Sequence, residues 1–198
     1  MGNINGKKFS FTGLFPIKEN ADLGSLREHL RGLDQHPNGS PLSAVRMIHM
    51  ARLVIVDTLP FQGEPAAFDQ LRSRYLVFAC AFDGDCVETL VKALADAVPD
   101  EVEAIWQHCI AFPGIVRPVA ADPDDLAAYF RRCQVDTNLF LADQPDRTVS
   151  DILRALRAKQ AFTDFLEHYQ GEPPARLQKG FEALWRQLAS EDPAPGSL

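Results

Sequence analysis

The chain reads as an α+β protein on three observations. Four segments rich in aromatic and β-branched residues are interleaved with amphipathic segments of helical period. Acidic or hydroxyl cap residues stand immediately before several of the amphipathic segments. The 198 residues, 46% apolar and 24% charged, are the length and balance of one large folded domain.

Phe9–Ile17 (FSFTGLFPI) is the first predicted strand, on its aromatic content. Asp22 then caps a helix to Leu33, with Leu23, Leu26, Leu30 and Leu33 at helical spacing. His36–Pro41 (HPNGSP) breaks the chain. Val45–Asp57 is the second strand, and its apolar end suggests cover on both faces. A connection with Pro60, Gly63 and Pro65 leads to the third strand, Tyr75–Asp83.

Asp85 with Glu88 forms a predicted capping box for a helix carrying Val87, Leu90, Val91, Leu94 and Val98, and Pro99 stops it. Asp100 with Glu103 caps the next, which ends at Pro113–Gly114. Asp122–Pro123 starts a short helix ending near Arg132. Gln134–Ala142 (QVDTNLFLA) is the fourth predicted strand. Thr148 with Asp151 opens a long helix that Gly171 stops, a last helix spans Ala175–Leu188, and Ser190–Leu198 is expected to fray.

The core order is strand, helix, strand, strand, helix, strand, which is the ferredoxin-like pattern of an antiparallel four-stranded sheet. It predicts such a domain over residues 1–170. Residues 171–198 form a C-terminal helix and a flexible tail packed on that domain. The second sheet face needs cover, from the late helices or from another subunit, and a homodimer is the expected answer.

The net charge of −7, from 27 acidic and 20 basic residues, argues against sequence-independent nucleic-acid binding. No apolar run approaches the ~20 residues of a membrane span, and no apolar signal core follows Met1, so a cytoplasmic protein is expected. Cys80, Cys86, Cys109 and Cys133 match no zinc spacing and are expected to be reduced, with Cys80 and Cys109 buried and inert. P-loop, GxSxG and GxGxxG signatures are absent.

Three segments in order carry a resemblance: His49-Met-Ala-Arg52-Leu-Val-Ile-Val-Asp57, Leu76-Val-Phe-Ala-Cys-Ala-Phe-Asp83-Gly84-Asp85, and Ile105-Trp-Gln-His108-Cys109. The pattern resembles a family of mostly uncharacterised bacterial proteins over residues 9–170. That family is similar to the dimeric α+β barrel superfamily, with its chlorite dismutases, dye-decolourising peroxidases and small monooxygenases. The resemblance implies facing sheets around a pocket, and haem as a cofactor to be tested. Cys80-Ala-Phe-Asp83-Gly84 resembles the G-x-x-D-G of the peroxidases, whose aspartate works on peroxide above the haem. Cys80 replaces the first glycine, and no position matches the proximal histidine, which argues against haem.

The candidate site residues are His49, Arg52 and Asp83. His49 and Arg52 are an odd number of positions apart, so an unbroken strand points them to opposite faces, and a bulge between them restores one side. They are read either as a titratable pair lining a pocket or as a core histidine with an arginine paired to a carboxylate such as Asp57. The structural reading is the favoured one. Asp83 is left unexplained by capping and has two roles open, a proton acceptor or a partner of Arg52. His108 is read as a half-exposed histidine favoured by a helix C-terminus, without a metal site around it. The functional expectation is a pocket for a small, mainly apolar ligand that supports an oxidative or isomerising reaction. The alternatives are a noncatalytic binding or interaction module, and a haem enzyme.

Overall fold

The computed structural model describes residues 2–59, 63–65, 70–115, 118–119 and 122–197. Four antiparallel strands form one sheet in the order β1-β2-β4-β3. They are β1 (Ile4–Asn5), β2 (Lys8–Pro16), β3 (Ile48–Thr58) and β4 (Gln70–Asp83). Six α-helices accompany them: α1 (Leu23–Gly32), α2 (Val87–Ala97), α3 (Pro99–Trp106), α4 (Pro123–Cys133), α5 (Val149–Tyr169) and α6 (Pro174–Ser190).

Alternation along the strands decides where the core lies. Phe9, Phe11 and Phe15 of β2 and Leu76, Phe78, Cys80 and Phe82 of β4 are buried on one face. Leu26 of α1, Leu90, Val91 and Leu94 of α2, Trp106 of α3, and Leu126 and Phe130 of α4 pack against them as one cluster. Phe130 is its hub, with ring centroids 5.6 Å from Phe11, 5.0 Å from Phe15 and 5.2 Å from Trp106. Gly13 lies in the same row because an added Cβ would strike the Phe15 ring. Among the described residues the opposite face carries no equivalent layer: Leu14, Met50 and Val54 are 38%, 61% and 39% exposed.

The segment 134–142 is not the expected fourth strand. Gln134 bridges to Gly13 and the Val135 N–H donates to the Thr12 carbonyl at 2.8 Å, while farther on the contacts are to side chains: Thr137 N–H donates to Asn3 Oδ1 at 2.7 Å and the Phe140 carbonyl accepts from the Asn5 amide at 3.1 Å. The competitor is the N-terminal hairpin. Ile4 pairs with Phe9 and Asn5 with Lys8, and the Ser10 N–H donates to the Asn3 carbonyl at 2.7 Å. The edge of β2 is thereby taken, and residues 136–142 pass outside it with Leu139 and Leu141 exposed. Gly6 at φ +60° makes the two-residue turn possible.

Two predicted caps also move. Gly84, at φ +151°, prolongs the exit from β4 and donates its N–H to the Lys7 carbonyl, so Cys86 rather than Asp85 precedes α2. Pro99 takes the first position of α3, with Val98 before it, so Asp100 falls inside the first turn. Glu103 instead accepts from the Val119 N–H at 2.8 Å. The second strand begins three residues late because Pro41–Ala44 forms a 3₁₀ turn that buries Val45. The caps at Asp22, Asp122 and Thr148 stand where expected, each accepting from a backbone N–H three residues on. The predicted connection residues Pro60 and 66–69 lie outside the described residues.

Phe130→Ala removes the ring that ties α4 to β2 and α3. Its unfolding free energy in urea is expected to fall by about 3–5 kcal/mol, the range for a large aromatic cut from a packed interior.

Candidate functional site

The site begins with a defect in β3. Ile48 pairs with Phe82 and Met50 with Ala81, so His49 is the extra residue of a β-bulge. Arg52 then stands opposite Ala79, on the sheet face away from the core. His49 reaches residues on that same face, as the bulge reading anticipates.

His49 Nε2 lies 2.7 Å from Oδ1 of Asp83 and 2.9 Å from Nζ of Lys8. Lys8 and Asp83 are direct cross-strand partners on β2 and β4. Lys8 is only 5% exposed, the single charged residue among the buried ones described. Its ammonium donates to the Arg147 carbonyl at 2.6 Å. The second oxygen of Asp83 accepts from the Val149 N–H at 2.8 Å, the first residue of α5. The carboxylate thus sits at the positive end of the α5 dipole. Thr148 and Asp151 complete that end as a capping box, and the Thr148 backbone N–H holds the Asp151 carboxyl below the usual carboxylate range.

One nitrogen cannot both donate and accept along two directions. Nε2 therefore either gives its hydrogen to Asp83 or receives one from Lys8. The cluster is largely shielded, the His49 and Asp83 side chains being 16% and 17% exposed.

Arg52 does not join this cluster. It is exposed, and its side chain has no hydrogen-bond or ion-pair partner among the described residues. Asp57, its expected partner, is held by Arg27 at 2.6 Å, and that guanidinium lowers the Asp57 pKa. Arg52 and His49 do share a cleft of about 800 Å³ along the outer edge of β3. Leu30, Leu33 and Leu42 wall one side, Val149, Ile152 and Leu153 the other, and Pro195 and Gly196 approach from the C-terminal segment. That segment is tied back by Asp192 to Arg46 at 3.0 Å and by Glu191 to Arg157 at 2.7 Å, where fraying was expected.

Lys8 is the residue that sequence reasoning missed. Its even spacing from Ser10, Thr12 and Leu14 does place it on the open face. Nothing local says that the start of α5, some 140 positions on, lies over it.

His108 follows the cap residue of α3, half-buried, with its carbonyl accepting from the Lys18 N–H at 3.0 Å. Burial, with Lys18 nearby, lowers its pKa, so the proton expected from the helix end is disfavoured. No group of three metal-ligating side chains converges among the described residues. A haem does not fit the residues present. Both oxygens of Asp83 are engaged by His49 and the α5 N-terminus, and His49 is the only histidine lining the cleft. Cys80 and Cys109 are buried, and burial raises both thiols, Cys109 to about 12.

The chain is mixed α+β with a four-stranded antiparallel sheet, and the cleft runs along its edge strand β3. No family model matches it, and neither a curated protein nor a solved structure matches it. No described helix is long and apolar enough to cross a membrane.

Two outcomes are expected. Asp83→Ala leaves Lys8 buried beside an unpaired Val149 N–H, and chemical denaturation should register a loss of about 3 kcal/mol. Iodoacetamide followed by peptide mass mapping of the native protein should modify half-exposed Cys86 first. Cys80 and Cys109 should label only after unfolding, since the thiolate is the reactive form.

Proposed function

We propose that this chain is a noncatalytic binding module that holds a small, mainly apolar ligand with an anionic group in the cleft along β3. The observation that carries the reading is Arg52, exposed on the cleft wall without a side-chain partner among the described residues, in a cleft that Asp34, Gln35, Ser40, Ser43 and His49 line together with the leucines and isoleucine. Guanidinium recognises a carboxylate or phosphate through paired parallel hydrogen bonds. The leucine and isoleucine walls suit the ligand's hydrocarbon body, in the usual manner of small-molecule sites.

His49 and Asp83 have structural roles in this reading. Asp83 spends both oxygens on internal partners, and His49 turns its Nε2 inward to the same cluster. The three long strands, in the order β2-β4-β3, are read as the first, third and second strands of a ferredoxin-like unit whose fourth position the N-terminal hairpin has taken.

The test compares variants for binding of a medium-chain fatty acid by isothermal titration calorimetry. Arg52→Ala should weaken binding by about tenfold or more while the urea midpoint stays within error, because an exposed unpaired side chain contributes little to stability. His49→Gln should lower the midpoint more than the affinity. Equal affinity in wild type and Arg52→Ala, or loss of turnover in a His49 variant that remains fully stable, would remove the proposal.

A further inference from the structure

The chain that follows α6 turns back across the cleft. Residues 193–196 read Pro-Ala-Pro-Gly, and two residues without an N–H cannot continue the helix. Pro195 and Gly196 take the two central positions of a turn that the Ser197 N–H closes on the Ala194 carbonyl at 3.1 Å. Gly196 stands at φ +78°, the left-handed value that the third residue of a type II turn requires. It also lies hard against the segment after α1, where an added Cβ would strike the Asn38 amide and the Pro37–Asn38 backbone.

The segment thereby links both sides of the cleft. On the α5 side, Glu191 accepts from Nε of Arg157 at 2.7 Å and Asp192 accepts from Arg154 at 3.5 Å. On the other side, Arg46 pairs with Asp192 at 3.0 Å and donates to the Pro193 carbonyl at 3.1 Å. Pro195 and Gly196 line the cleft itself. Yet this closure is lightly held. None of residues 191–197 is buried. Arg46, Arg154 and Asp192 are 50%, 60% and 53% exposed, and ion pairs so exposed are weak and screened by salt. A segment with few buried contacts opens ahead of the rest of a fold. The two prolines restrict the released chain, so closing again costs less entropy.

We infer that residues 191–197 are a strap that closes the mouth of the β3 cleft, latched by Glu191 and Asp192 on Arg46, Arg154 and Arg157, and that releasing the latch opens the cleft. The strap's use as a gate rests on the ligand reading proposed above. Its opening is measured without any ligand.

Ser43 lines the cleft and carries the probe. In the full chain bearing Ser43→Cys, the rate at which iodoacetamide modifies the new thiol is followed by peptide mass mapping, with Cys86 as the internal reference. Glu191→Gln with Asp192→Asn should raise that rate by about fivefold or more at an unchanged urea midpoint, because only the strap is released. Arg46→Gln should act in the same direction from the opposite wall and covers the case in which the double variant misfolds. Truncation after Ser190 gives the rate of the open cleft. Raising salt from about 20 mM to about 500 mM should speed labelling of the latched chain and leave the truncated chain unchanged. A rate that neither truncation nor the latch variants alter overturns the inference, whether or not the protein binds a medium-chain fatty acid. So does acceleration by truncation alone, which leaves the ion pairs no latching role. Acceleration in all of these variants upholds the strap, and a failure of every one to bind fatty acid would then count against the ligand reading only.

Discussion

The Asp83 carboxylate is the point on which the arrangement of this molecule depends. Strands β2, β3 and β4 bring Lys8, His49 and Asp83 to one corner of the sheet, and the first turn of α5 closes over them. A buried ammonium costs several kcal/mol unless a carboxylate and good hydrogen bonds accompany it. That penalty makes the corner nearly all-or-none: each partner holds its place because the others are present. Since α5 begins there, the same corner sets one wall of the cleft and the base of the helical hairpin.

The bulge at His49 serves this corner. Without it, period-two alternation would send His49 into the aromatic core or Arg52 away from the open face. With it, one strand turns an imidazole toward the ion cluster and a guanidinium toward the cleft. The two residues are close in sequence and alike in being cationic when protonated, yet their surroundings separate them. One is enclosed with a carboxylate, and the other is exposed without a side-chain partner among the described residues.

Much of the fold was legible because its signals are local. The capping oxygens of Asp22, Asp122 and Thr148 act on N–H groups three residues away, and the helical stripes need only their own segment. The misread elements were those decided by competition. Gln134–Ala142 has strand-like composition, but β2 has one edge left open by β4, and the Gly6-Lys7 turn brings the N-terminus to it first. Asp85 and Asp100 resemble caps, yet the exit from β4 and the position of Pro99 set where the helices begin. At the site, His49 and Asp83 were visible as unexplained polar residues. Lys8 was not, because burial of a surface-type residue depends on a helix far along the chain.

The sequence by itself determined the α+β class, the aromatic face of β2 and β4, and most helix boundaries, all consequences of side-chain periodicity and short-range capping. Tertiary structure alone decided which edge pairing wins, that Asp57 pairs with Arg27 rather than with Arg52, and that Lys8 is enclosed. Those outcomes turn on distances between residues remote in sequence, and local preferences carry no information about them.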